Sequence, residues 1–190
     1  MEAFLISTGV VALAEIGDKT QLLSLVLAAR FRKPIPIVFG ILIATLFNHA
    51  FAGAIGSWLT TLVGPATLRW VLGISFLLMA GWTLIPDKVG DTPEDKGRFG
   101  VFTTTLVAFF LAEMGDKTQI ATIALAAKYA SLIAVVAGTT LGMMLANVPV
   151  VILGDKAAKI LPLKLIRSIA AAIFAVLGLL ALFNAGPGLG

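Results

Sequence analysis

The chain contains no cysteine, a single histidine (His49), and only 13% charged residues among its 190. Without thiols there is no disulfide framework, no iron–sulfur ligation and no thiolate zinc site. One imidazole excludes a multi-histidine metal centre within one chain. The shortage of charge excludes more. A soluble domain carries about 25% charged residues, whereas this chain is 59% hydrophobic with a mean hydropathy of +1.03. Too few polar residues exist to cover a water-facing globule, so the expected class is an all-α integral membrane protein. Also missing are a GxxxxGK[ST] nucleotide signature, a basic N-terminal leader before an apolar run, and an Arg- and Ser-rich transit segment. No cleavable targeting peptide is expected. The net charge of +4 does not point to nucleic acid, because the basic residues sit in short connections between apolar runs. There positive charge reports membrane orientation.

About 20 apolar residues cross a bilayer as a helix. Six segments qualify, at about 3–29, 35–62, 67–86, 100–128, 131–154 and 164–184. The breaks carry their own signals, among them Arg30 to Pro34, Gly64-Pro65 and the polar stretch from Asp87 to Arg98. The connections on one side and their flanks hold Arg30, Arg32, Lys33, Lys88, Lys96, Arg98, Lys156, Lys159, Lys164 and Arg167; the other side holds Arg69 and Lys128. That bias predicts a cytoplasmic 87–99 linker and both termini outside. Trp58, Trp70 and Trp82 fall toward span ends, as interfacial anchors do.

The sequence repeats at an offset of 98 residues. Leu13-Ala-Glu-Ile-Gly-Asp-Lys-Thr-Gln21 matches Leu111-Ala-Glu-Met-Gly-Asp-Lys-Thr-Gln119, and eleven of eighteen positions agree between 13–30 and 111–128. Without a gap, the same offset pairs Gly40 with Gly138, Gly56 with Gly154, Arg69 with Arg167 and Phe76 with Phe174. Residues 1–86 and 100–190 thus form two three-helix repeats about the 87–99 linker. Three is odd, so the second copy enters the membrane from the opposite side. Inverted repeats of this kind build many secondary transporters, with the binding site near the midplane.

The best-preserved stretch is the most polar one in the membrane, where packing alone would favour apolar residues. Glu15 and Asp18 straddle the middle of the first span, as do Glu113 and Asp116 in the fourth. A charge there costs at least about 2.5–3.5 kcal/mol on the insertion scale, so these groups face a cavity or a partner. In a continuous helix Glu15 and Asp18 share a face, and Glu15 reaches Lys19 at i,i+4. Four carboxylates and two lysines leave the motifs at net −2, a charge that one divalent cation or two protons would cancel. Intrahelical pairs, Glu15–Lys19 and Glu113–Lys117, are the structural alternative, yet each motif has two acids and only one base. Carboxylate, amide and hydroxyl oxygens suit Ca²⁺, Mn²⁺ or Mg²⁺ rather than Zn²⁺ or Cu⁺. Gly17 and Gly115 weaken the helix beside these acids. Were both segments helical, three residues of rise would set two carboxylate levels roughly 4.5 Å apart. The outer would be Glu15 with Asp116, the inner Glu113 with Asp18.

Asn48, His49 and Asn147 are further polar groups within spans. His49 has no histidine partner and reads as a hydrogen-bonded pore or packing residue. Gly138-xxx-Gly142 and its mate Gly40-xxx-Ala44 read as close helix packing.

Twin Glu-x-Gly-Asp-Lys-Thr motifs, Glu15–Thr20 and Glu113–Thr118, in two three-span halves resemble the family of Golgi, thylakoid and bacterial manganese/calcium transporters. The resemblance covers essentially the whole chain. It implies a cation/proton antiporter or manganese exporter, not an enzyme, with no resident cofactor. Its core ligands would be Glu15, Asp18, Glu113 and Asp116, with Gln21 and Gln119 as accessory candidates. The partners implied are Mn²⁺ or Ca²⁺, protons and the lipid bilayer; self-association into a homo-oligomer is compatible with the chain. A compact chain without the N-terminal extension of organellar members points to a bacterial plasma membrane. Two other classes are a passive divalent channel and a metal-dependent enzyme acting on lipid phosphates. Against the enzyme, the membrane core offers no arginine for phosphate and only His49 as imidazole.

Cysteines introduced by Thr92→Cys and Gly188→Cys test the orientation, since the chain has none of its own. Position 188 should label with an impermeant thiol reagent on intact cells, and position 92 only after permeabilisation. Labelling of position 92 from outside would overturn the inverted assignment.

Overall fold

Apolar runs bounded by proline and glycine become helices whose ends follow those residues. The computed structural model describes residues 1–85, 100–129, 131–154 and 162–183. The described residues form eight helices and no strand. They are α1 (Glu2–Glu15), α2 (Lys19–Phe31), α3 (Pro34–Leu62), α4 (Pro65–Thr83), α5 (Val101–Glu113), α6 (Lys117–Lys128), α7 (Leu132–Leu153) and α8 (Leu163–Leu182). Pro34 and Pro65 begin α3 and α4, where a missing N–H leaves no bond unmade. The 87–99 linker lies outside the described residues, as do Lys156 and Lys159.

Four helices, α3, α4, α7 and α8, are long and apolar enough to cross a membrane. The continuous spans expected at 3–29 and 100–128 do not form. Each is two short helices, of 14 and 13 residues in the first case and 13 and 12 in the second. The cause is local. Ile16 and Met114 leave the helix in extended conformation, and Gly17 and Gly115 follow at φ of +84° and +73°. A side chain in that left-handed region costs about 1–2 kcal/mol, which glycine avoids. Asp18 and Asp116 then start the next helix in extended conformation. Their N–H groups donate to the carbonyls of Glu15 and Glu113, at 3.0 and 3.2 Å, so both breaks close with the same turn.

The 98-residue offset reappears in the packing. A Cβ on Gly138 of α7 would stand 2.5 Å from the Phe4 carbonyl oxygen and 3.0 Å from Ser7 Cβ. A Cβ on Gly40 of α3 would meet the equivalent residues of α5, Phe102 O at 3.0 Å and Thr105 Cβ at 2.7 Å. Gly142 brings α7 equally close to Thr8 of α1. The small-residue stripes therefore serve close packing, α1 against α7 and α5 against α3. Helices α4 and α8 pair through Gly73 and Gly178, and the repeat mates Phe76 and Phe174 stack with ring centroids 6.4 Å apart. At the far end of α6, the Tyr129 hydroxyl donates to Glu2 Oε1 across 3.4 Å. Burial, with the Glu2 carboxylate beside it, pushes that phenol up to about 12.

The distribution of polarity is inverted relative to a soluble protein. Phe39, Phe47, Phe51, Trp58, Trp70 and Leu78 are exposed, while Glu15, Asp18, Glu113, Asp116 and Lys117 are buried. Only a hydrocarbon solvent makes that arrangement favourable.

Gly56 offers a test of the close packing. A Cβ there would lie 2.2 Å from the Ile123 carbonyl oxygen, whereas one on Gly9 meets nothing within 4 Å. Gly56→Ala should destabilise the protein by about 1–3 kcal/mol and Gly9→Ala should not, as measured by thermal unfolding in detergent.

Candidate cation site

Both helix breaks carry their acids to one place. Glu15 ends α1, Glu113 ends α5, and Asp116 precedes α6. One carboxylate oxygen from each of these three residues lies within 4.8 Å of the other two. All three side chains are buried. Among the described residues, neither Glu15 oxygen has a hydrogen-bond partner, nor have Glu113 Oε1 and Asp116 Oδ2. The other Glu113 oxygen accepts from Thr118 Oγ1 at 2.9 Å. Buried anionic oxygens left without donors in this way are costly unless a cation or protons share them.

The lysines do not pair as a continuous helix would have them. Lys19 reaches Asp116 of the other motif at 3.0 Å, and Lys117 pairs with Asp18. With the helix broken at 16–18, Glu15 and Lys19 no longer follow i,i+4 geometry. The same break removes the two-level carboxylate arrangement, which assumed a helical rise. In its place stands a trio, with Asp18 outside it and engaged by Lys117. The two ion pairs differ in access: Lys19 is 28% exposed and Lys117 is 3% exposed.

Gln21 and Gln119 hold the breaks. Gln21 Oε1 accepts from the Gly17 N–H at 2.9 Å, and Gln119 Oε1 accepts from the Gly115 N–H at 2.8 Å. The side-chain oxygens expected as accessory ligands thus satisfy amides that the left-handed glycines would leave bare. Gln21 Nε2 also donates to the Ala146 carbonyl of α7 at 3.1 Å. Asn147 accepts from Ser24 Oγ at 2.7 Å, tying α7 to α2, and Asn48 donates to the Phe110 carbonyl of α5 at 3.1 Å. These two asparagines fasten the broken helices to their unbroken neighbours. His49 is buried, as a packing residue would be, but among the described residues neither ring nitrogen has the hydrogen-bond partner expected for it.

Sequence reasoning missed one contact altogether. Arg167 Nη2 donates to the Gly17 carbonyl at 2.9 Å, joining the start of α8 to the first break. The gapless pairing of Arg69 with Arg167 was the available signal, but both were counted only as orientation charges. Ser24 carried no motif of its own and could not have been found that way.

A family model described as "Divalent cation/proton antiporter GDT1" matches residues 3–91 and 101–188. A Vibrio cholerae serotype O1 protein named "Putative manganese exporter" is 54% identical over 96% of this chain and 92% of its own length. The rice proteins named "GDT1-like protein 3", from the indica and japonica subspecies of Oryza sativa, are each 27% identical over 91% of this chain and 71% of theirs. No solved structure matches the chain. Twin motifs converging on buried carboxylates, and a family match covering nearly every residue, lead to one conclusion: the chain belongs to the GDT1 family of divalent cation/proton antiporters.

Proposed function

We propose that the protein exports Mn²⁺, with Ca²⁺ as the second candidate, across a bacterial cell membrane in exchange for protons. The observation that carries this reading is the trio Glu15, Glu113 and Asp116, drawn from both motifs and left with unpartnered oxygens. Oxygens that share one cation at about 2.1–2.6 Å lie no more than about 5.2 Å apart, and those of the trio all lie within 4.8 Å of one another. Glu15, Glu113 and Asp116 are the direct ligands. Asp18 joins them when Lys117 releases it, and Gln21 and Gln119 keep the two breaks in shape. A protein named as a manganese exporter at 54% identity favours Mn²⁺ as the cargo.

The chain crosses the membrane six times: α3, α4, α7 and α8 each cross once, and the broken pairs α1–α2 and α5–α6 once each. Residues 1–86 and 100–190 are inverted three-span repeats, joined on the cytoplasmic side by 87–99. Half-helices meeting at midplane are a recurrent way of presenting backbone and side-chain groups to an ion. Here the helix ends bring glutamates.

Exchange follows from the ligand chemistry. A carboxylate binds a metal only when deprotonated, so cation and protons compete for the same oxygens. Binding the cation displaces protons, and protons arriving from the other side displace the cation. A net release of two protons would conserve the charge of the site.

Glu15→Gln or Glu113→Gln keeps side-chain size and removes charge. Each variant should insert normally yet lose nearly all divalent flux in proteoliposomes under an imposed pH gradient. Wild-type flux that ignores the gradient would indicate a channel, and a neutralised variant that transports normally would refute the ligand assignment.

Divalent affinity should fall as pH is lowered, because added protons occupy the oxygens the cation needs. Calorimetric titration with Mn²⁺ between about pH 5.5 and 8 checks this. An affinity that stays flat would show that protons and cation use different groups.

A further inference from the structure

The two helix breaks are alike in backbone but not in cover. At Gly17, a Cβ would meet Leu163 Cδ2 at 2.9 Å and Arg167 Nη2 at 3.4 Å. The start of α8 therefore lies directly over the first break, and the Arg167 guanidinium donates to the freed Gly17 carbonyl at 2.9 Å. At Gly115, a Cβ would meet nothing within 4 Å among the described residues, and Met114 beside it is 56% exposed. The residue matching Arg167 at the 98-residue offset is Arg69, in the first turns of α4. Its Nε is buried with no hydrogen-bond partner among the described residues.

The ion pairs cross between the breaks, Lys117 with Asp18 and Lys19 with Asp116, so the difference in cover lies in the arginines and the glycines.

We infer that Arg167 and Arg69 are alternating latches. Arg167 closes the Gly17 side in the conformation described here. In the exchanged conformation Arg69 bonds the Gly115 carbonyl, and Arg167 lets go. Both act as positioning residues, through helix breaks whose adjacent acids hold the cation. The inference rests on the inverted three-span repeats and the cation/proton exchange proposed above, and adds that the two repeats exchange conformations. In the orientation set by the basic residues, Arg167 belongs to the cytoplasmic side, so its latch shuts the cytoplasmic path. Guanidinium suits the task because it stays charged and directs several N–H donors toward a carbonyl that has lost its helical partner. A hydrogen bond from a charged donor is strong enough to shift a two-state balance about tenfold or more.

Hydrogen exchange at the two breaks, read by mass spectrometry on the protein in nanodiscs without divalent cation, tests the latches independently of transport. In the wild type the 112–117 segment should exchange faster than 14–19. Arg167→Ala should reverse the order, with 14–19 faster and 112–117 slower, shifting the ratio about tenfold. Arg69→Ala should leave the wild-type order in place or strengthen it. The double variant should return the ratio toward that of the wild type, which a loss of folding cannot do. Arg167→Lys, which keeps charge but loses the planar fork, should fall between wild type and Arg167→Ala. Faster exchange at both breaks in Arg167→Ala, or no change at either break in that variant, would overturn the inference. Reciprocal exchange in a protein that moves no cation would retain the latches and refute the antiporter reading.

Discussion

A carboxylate placed in hydrocarbon must be shared with a cation, a proton or a donor, and the rest of this architecture follows from that requirement. Four such groups are buried here, and the lysines supplied with them number only two. The structure responds by crossing the pairs, Lys19 to Asp116 and Lys117 to Asp18. Each half of the chain thereby compensates the other, and the glutamates remain as the unsatisfied remainder. Breaking the helix makes the crossing feasible. A continuous helix would have offered each lysine its own glutamate, and each motif would have paired within itself rather than with the other.

The scaffold around the acids is arranged to keep the breaks open without letting them unravel. A left-handed glycine turns the chain, a glutamine three residues into the following helix caps the exposed amide, and an asparagine from a neighbouring long helix fastens the half-helix in place. Small-residue stripes on α3 and α7 let the short helices approach within backbone contact. Close approach matters because helices of 12–14 residues are too short to be anchored by lipid alone. Their stability comes from the long helices they lie against.

Much of this was legible before any coordinates. Hydropathy separated the apolar segments, and the bounds of α3, α4, α7 and α8 fall within a few residues of the expected spans. The repeat marked Glu15, Asp18, Glu113 and Asp116 because acids that are preserved at matched depth are expensive ones; three of them cluster, and Asp18 is paired with Lys117 instead. The glycine stripes also carried their meaning in sequence, since Gly138 and Gly40 meet equivalent residues of α1 and α5. What the sequence concealed was geometric. Gly17 and Gly115 signalled a weak helix but not a reversal of φ, and with the reversal went the i,i+4 pairing, the two stacked levels and the free glutamine oxygens. Pairings between Lys19 and Asp116, or Arg167 and Gly17, depend on which helix faces which, and no local pattern encodes that.

Phe76 and Phe174 occupy equivalent positions in the two halves and touch each other. Two points exchanged by a dyad can be neighbours only where the dyad passes between them, so the dyad of the proposed inverted repeats would run through this stack. Rotation about an axis leaves what lies on it stationary. In the exchange of conformations inferred above, the aromatic pair would be the bearing of the machine: a contact common to both end states, contributing equally to each and biasing neither.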